Sequence, residues 1–149
     1  MKKIAMIFLI AFLLNFLNGC ANNSNEILID NGQQIVKIKV ETANDNFERS
    51  KGLMFRENLG KDAGMLFIFD SEENRTFWMK NTLIPLDMIF INKELKIVDI
   101  KSAVPCKQEP CLLYKSSKPA KYVLEVNGNY TFQQGINVNN KIQKTKLFK

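Results

Sequence analysis

The chain has 149 residues, a formal net charge of +6 at pH 7 and no histidine. This length suits one modest domain, and the lack of histidine excludes Ser-His-Asp and Cys-His catalysis, histidine zinc sites and a histidine proton shuttle. Much of the basic excess lies near the end of the chain, so a broad nucleic-acid surface is not indicated. Lysines there are more typical of a solvated or edge-protecting set than of a patch that grips anionic lipid or glycan. They are Lys141, Lys144, Lys146 and Lys149.

The N-terminal segment resembles a bacterial lipoprotein signal. Two lysines precede residues 4–17, which are uncharged, largely apolar and too short for a comfortable membrane span. The following Leu17-Asn18-Gly19-Cys20 resembles a lipobox, in which the cysteine thiol receives a diacylglyceryl group. An ordinary signal with an incidental cysteine is the alternative. We predict a signal peptide over residues 1–19, lipidation at Cys20 and a polar tether over residues 20–25.

The predicted anchor implies a location outside the cytoplasm, with the membrane as a partner. Several acyl chains hold a protein to a bilayer more firmly than a single chain, at roughly 0.8 kcal/mol per buried methylene. Ala21, rather than aspartate, follows the cysteine. That choice resembles default sorting to the outer membrane, facing the periplasm. In a bacterium with one membrane, the anchor would lie on the outer face of the cytoplasmic membrane.

Residues 26–149 are predicted to form a single, mainly β domain. Val36, Ile38 and Val40 alternate with charged residues, which is the period of a strand with one buried face. Short apolar runs bounded by turn residues predict more strands, and a parallel α/β fold is disfavoured because long crossover helices are missing. The architecture expected is a small barrel or sandwich-like sheet with one or two short helices. The further predicted strands cover residues 64–69, 75–80, 86–91, 95–101, 121–126 and 141–148, and the helical turns lie after Thr42, ending at Gly52, and within 130–135.

A run from Phe77 to Ile91 places several polar groups inside an apolar stretch, where an unpaired charge would be costly. If strands 75–80 and 86–91 form a hairpin, Lys80 faces Asp87 across it. One hypothesis is a charge pair in a cleft, with Asp87 as a carboxylate base or ligand anchor and Trp78 as a stacking face. The alternative is structural: Asp87 satisfies backbone donors of the turn and pairs with Lys80.

Three sequence blocks occur in order: Arg49-x-x-Gly52-Leu53-Met54-x-Arg56, Gly64-Met65-Leu66-Phe67-x-Phe69, and Phe77-Trp78-Met79-Lys80-Asn81-Thr82-x-x-Pro85-Leu86-Asp87-x-x-Phe90. Together they closely resemble the domain of unknown function 192 (DUF 192) family. The resemblance implies a compact, mainly β fold that is often exported, and no established activity. It also implies that the recurring polar positions of the family form either a shared pocket or a shared set of structural contacts. These are Arg49, Arg56, Lys80, Asn81, Thr82 and Asp87.

Two further pairs of residues carry predictions, and the first leaves alternatives open. Arg49 and Arg56 could grip an anion with their forked donors, or pair with nearby carboxylates. Cys106 and Cys111 flank a short loop of an exported protein, which predicts a disulfide that stabilises by roughly 2 kcal/mol in the chain-entropy model.

Methionines also allow a soft-metal hypothesis, because thioether and thiolate ligands suit Cu(I). Each methionine lies beside aromatic or aliphatic residues, which favours core filling instead. We expect no cofactor and no bound metal. The methionines concerned are Met54, Met65, Met79 and Met88.

These observations favour a lipid-anchored envelope domain that binds a small, glycan-like or protein ligand without catalysis. The ligand-binding candidates lie around the Phe77 to Ile91 run, with Trp78 and the family's polar positions. The first alternative is an envelope-polymer hydrolase or lyase with Asp87 as base, although glycoside hydrolysis generally needs a second carboxylate. The second alternative is soft-metal handling.

Overall fold

The computed structural model describes residues 25–148. The predicted signal peptide, Cys20 and the tether as far as residue 24 lie outside the described residues. Within residues 25–148, no helix is long and apolar enough to cross a membrane.

Nine strands and two short helices make up the described part of the chain. The strands are β1 (Glu26–Asp30), β2 (Ile35–Ala43), β3 (Ala63–Glu73), β4 (Thr76–Trp78), β5 (Leu86–Ile91), β6 (Ile97–Ala103), β7 (Leu113–Lys115), β8 (Ala120–Asn127) and β9 (Lys141–Ile142). The helices are α1 (Asn46–Lys51) and α2 (Tyr130–Gln133). The predicted mainly β fold with short helices is confirmed.

Seven strands form one sheet in the order β6-β5-β8-β3-β2-β1-β9, and β4 pairs with β7 in a separate ribbon. Within the large sheet, only β2 and β3, which α1 connects, run parallel. An isolated bridge between Lys96 and Lys141 joins the two ends of the sheet. There, the amide of Ile142 donates to the carbonyl of Leu95 at 2.8 Å. The sheet therefore curls into a barrel-like shape.

The sheet has an apolar cluster on each face. Strand β8 contributes to both, because successive side chains point to opposite sides. Tyr122, Leu124 and Val126 belong to the inner cluster, as the sequence pattern predicts, while Val123 belongs to the outer one. The outer cluster is completed by residues from the β4–β7 ribbon and the segments beside it, including Leu53, Phe77, Met79 and Tyr114. This second layer holds the candidate site.

Helix α1 follows the predicted signals closely. The side chain of Asp45 accepts a hydrogen bond from the amide of Glu48 at 2.8 Å, which is the usual N-cap contact. The helix ends at Gly52, whose φ of 48° is the left-handed backbone region that favours glycine. The prediction of a helix that ends at Gly52 is confirmed, and it places Arg49 and Lys51 in the last turn.

The predicted hairpin between residues 75–80 and 86–91 is wrong. Strand β4 pairs with β7, while β5 lies between β6 and β8 and places Asp87 opposite Ser102 and Val126. All six residues of β5 are buried, so this strand needs neighbours on both sides. The segment between the strands instead folds on itself, with the carbonyl of Met79 accepting from the amides of Thr82 and Cys106.

One predicted strand ends earlier in the structure, and two strands were not predicted. The predicted strand over residues 141–148 is confined to Lys141–Ile142, and Phe148 instead packs edge-on against Tyr122 in the inner cluster. Strands β1 and β7 were not predicted. Strand β7 has three residues and its partner β4 is distant in sequence, whereas β1 pairs with the adjacent strand β2.

The predicted disulfide is confirmed: Cys106 and Cys111 are bonded, with their Cα atoms 5.4 Å apart. It closes the loop between β6 and β7. Lys80 reaches this loop and forms an ion pair with Glu109 at 2.5 Å. The disulfide loop is therefore held beside the segment that follows β4.

Candidate functional site

Asp87 is fully buried and its carboxylate is satisfied by other side chains and one amide. One oxygen accepts from the hydroxyl of Ser102 at 3.0 Å. The other accepts from both the backbone amide and the hydroxyl of Thr131, at 2.9 and 2.6 Å. Thr131 lies in the first turn of α2, so a carboxylate from the central sheet caps that helix.

The predicted pair between Lys80 and Asp87 is wrong, because these contacts occupy the carboxylate and Lys80 pairs with Glu109 instead. The burial of Asp87 favours a structural role and does not support a role as base or ligand anchor. Its partners are Ser102 and Thr131, however, and not the turn donors and Lys80 of the structural alternative. Lys80 also lies over the ring of Trp78, with its ammonium nitrogen 5.6 Å from the ring centroid. It is thus close to the exposed aromatic face but already paired.

Arg56 is likewise engaged. Its guanidinium forms a two-pronged contact with the carboxylate of Glu41, at 2.6 and 2.5 Å. This hydrogen-bonded pair lowers the pKa of Glu41 and raises the pKa of Arg56. Asn81 has a φ of 56°, and its carbonyl accepts from the amide of Phe55. Both residues therefore support the loops around the site.

An open cleft of about 540 Å³ lies between α1 and β4. It brings together two of the predicted residues, Arg49 and Trp78, and its volume falls in the usual range for small-molecule sites. Trp78 is 49% exposed, so its indole is available for contact. The lining contains four aromatic side chains, two arginines and no acidic residue. It consists of Asn46, Arg49, Ser50, Phe67, Phe69, Asn74, Arg75, Thr76, Phe77 and Trp78.

Both arginines of the cleft lie against the same ring. The guanidinium carbons of Arg75 and Arg49 are 4.0 and 5.4 Å from the centroid of Phe69. Arg49 donates to the carbonyls of Asn44 and Ile68, and no carboxylate pairs with it among residues 25–148. Burial lowers the pKa of Arg75, Glu73 opposes that effect, and the like charge of Arg49 adds to it. The two guanidinium groups are therefore fixed in place with their charge only partly compensated.

A small pit of about 40 Å³ adjoins the cleft and shares five lining residues with it. Glu125 of β8 lies in this pit and is only 5% exposed. Its cross-strand neighbours are Met65 and Met88, both buried, and no hydrogen bond or ion pair involves its carboxyl group within the described part of the chain. Thr82, another predicted residue, also lines the pit. Burial raises the pKa of Glu125 to about 8.

Glu125 is the residue of the site that sequence analysis missed. An ionised carboxylate held in apolar surroundings costs several kcal/mol or more, so the group stays protonated instead. The available signal was its place in an apolar strand, on the same face as Val123 rather than Leu124. The alternation along this strand therefore also places Glu125 on the face of the outer cluster.

The methionines of the soft-metal hypothesis lie in the outer cluster and beside the candidate site. Met65, Met79 and Met88 are buried in the outer cluster, and Met54 lines the pit. Among residues 25–148, no group of three or more Cys, Asp or Glu side chains is arranged to hold a metal ion. These positions favour core filling for the three buried methionines.

Comparison with known proteins agrees with this fold. The model of DUF192, described as an uncharacterized ACR, matches residues 27–144. The chain belongs to the DUF192 family. No curated protein matches it.

Two solved structures resemble this DUF192 domain. One is a "putative transcription regulator" from Sinorhizobium meliloti 1021, with 36% identity, a TM-score of 0.73, and coverage of 79% of this chain and 92% of that one. The other is a protein of unknown function from Novosphingobium aromaticivorans DSM 12444, with 32% identity, a TM-score of 0.75, and coverage of 81% and 85%.

Proposed function

We propose that this protein is a lipid-anchored binding domain of the cell envelope, without catalytic activity, whose cleft takes a small acidic saccharide. The observation that carries the proposal is the lining of the cleft, which combines two guanidinium groups and an aromatic wall with no carboxylate. Such a lining attracts a ligand with a negative charge and a ring.

The two parts of such a ligand match different parts of the cleft. Arg49 and Arg75 are held by carbonyl contacts, lie against the same Phe69 ring and offer charge to a carboxylate. Trp78 offers a flat face to a sugar ring. The hydroxyl and amide side chains between them are suited to ring hydroxyl groups. These are Asn46, Ser50, Asn74 and Thr76.

The anchor belongs to the same proposal and is supported by the lipobox-like Leu17 to Cys20. We expect mass spectrometry of the protein purified from membranes to find Cys20 as an acylated N-terminal residue. A mature chain with an unmodified Cys20, or one that still carries residues 1–19, would contradict the anchor and leave the binding proposal to its own test.

The binding proposal is tested by substituting Trp78. In the full protein solubilised in detergent, we expect N-acetylmuramic acid and glucuronic acid to bind. Trp78→Ala should weaken binding by roughly fivefold, or about 1 kcal/mol, because the stacking face is lost. Isothermal titration calorimetry measures the change. Trp78 is half exposed, so the variant should keep the fold.

A matched control is Phe132→Ala, which removes a more exposed aromatic side chain from α2, outside the cleft. This control should bind the probes as the unmodified protein does. Equal weakening by both substitutions, or no binding of either probe, would refute the cleft as the site.

A further inference from the structure

We propose that Glu125 acts in ligand recognition as a neutral carboxylic acid, donating a hydrogen bond to an uncharged oxygen of the saccharide that enters the pit. This inference rests on the proposed function and adds to it a second point of recognition. It concerns a residue outside both the family's mapped polar positions and the predicted hairpin.

Three structural observations support this role. Glu125 is only 5% exposed and lines the pit, and its carboxyl group has no hydrogen-bond or ion-pair partner within residues 25–148. Among the described residues, no side-chain oxygen or nitrogen is completely enclosed without a hydrogen-bond partner, so the Glu125 carboxyl group keeps an opening to the pit. A ligand in the pit can therefore reach this group and supply a partner.

The size of the pit selects the chemical group. At about 40 Å³ it holds one small group such as a hydroxyl or a carbonyl oxygen, but no ring. The ring would remain in the cleft, since Phe67, Phe77 and Trp78 line both spaces. The pit therefore favours a saccharide that carries a hydroxyl or acetamido group next to its stacked ring.

The charged groups around the pit are few. Helix α1 contributes Arg49 and Lys51 to the lining of the pit. The lining residues from β3 and β4, and Thr82, have no titratable side chain. Asp87 lies on the other face of the sheet, bonded to Thr131. Burial is what keeps the proton on Glu125, raising its pKa to about 8 despite these two cations.

The pH dependence of binding tests the inference. A protonated Glu125 can donate, whereas an ionised one cannot and would also repel an acidic ligand. Between about pH 6 and about pH 9 the carboxylate of N-acetylmuramic acid and the arginines keep their charge. We expect the unmodified protein to bind this probe about tenfold more weakly at the upper pH, measured by calorimetry.

Glu125→Gln supplies the matched comparison, because an amide of similar shape donates a hydrogen bond at every pH. We expect this variant to bind with little pH dependence. As a second readout, ¹³C NMR of the Glu125 carboxyl should show its titration midpoint rising when the probe is added. An uncharged methyl glycoside of N-acetylglucosamine should cause the same rise, because it can accept the hydrogen bond without repelling an ionised carboxylate.

The outcomes separate the two proposals. Binding that requires Trp78 but is independent of pH, or that keeps its pH dependence in Glu125→Gln, would overturn the inference and leave the proposed function standing. An unchanged NMR midpoint in the presence of bound probe would overturn it as well. No binding at either pH would overturn the proposed function, and this inference with it.

Discussion

Replacing Asp87 with alanine is expected to destabilise the fold by about 3–5 kcal/mol, because each buried donor that loses its acceptor costs roughly 1–3 kcal/mol. The substitution leaves three donors without their acceptor: the hydroxyl of Ser102 and both the amide and hydroxyl of Thr131. It also uncaps the first turn of α2. Urea unfolding followed by circular dichroism gives the change in free energy of unfolding.

Asp87→Asn distinguishes hydrogen bonding from charge. An asparagine can accept from Thr131 with its oxygen and donate to the hydroxyl of Ser102 with its nitrogen, so we expect a smaller loss of about 1–2 kcal/mol. Asp70→Ala, at an exposed position, is the matched control and should change stability little. An Asp87→Ala variant as stable as this control would show that the network contributes nothing to stability.

The second large effect is a stability that falls as the pH rises through the titration of Glu125. Below the ordinary carboxyl pKa of 4.5, this group is protonated whether the chain is folded or unfolded. Between that pKa and about 8, the unfolded chain releases the proton while the folded chain keeps it. Raising the pH therefore favours unfolding in this window, and the loss stops once both states are ionised.

Glu125→Gln should remove this dependence, because glutamine does not titrate. We expect the variant to match the unmodified protein near pH 4 and to exceed its stability by an amount on the order of 3 kcal/mol at pH 7. Comparing urea unfolding of the two proteins at each pH cancels the contributions of the other carboxylates. One of these has the opposite sign, because Arg56 lowers the pKa of Glu41.

Glu57→Gln, at an exposed position, controls for the removal of one carboxylate. It should leave the pH profile of stability unchanged. If the Glu125→Gln difference stayed constant from pH 4 to pH 8, the carboxyl group would not be buried as the structure places it.

Much of the local structure was predictable because its causes lie close together in the sequence. The alternation of Val36, Ile38 and Val40 predicted a half-buried strand, and β2 has that pattern. The spacing of Asp45 and Glu48 predicted the start of α1. Cys106 and Cys111 are five positions apart and bonded.

Strand pairing was less predictable. Two apolar runs separated by a short polar segment suggested a hairpin, but nothing local indicates that β4 joins β7 and that β5 enters the middle of the sheet. Which strands pair depends on how much apolar surface each arrangement buries, and that amount depends on every other strand in the sheet. Lys80 and Asp87 were therefore assigned to each other, although each has a different partner.

The sequence established the class of fold, the family and the short-range elements, because periodicity, caps and turns are encoded within a few residues of one another. The partner of Asp87 is 44 positions away, and the pit of Glu125 is assembled from α1, β3, β4 and β8. Which polar side chain is satisfied and which faces an opening depends on the packing of these distant segments. That packing gives the two carboxyl groups different roles: Asp87 is structural, whereas Glu125 adjoins the cleft.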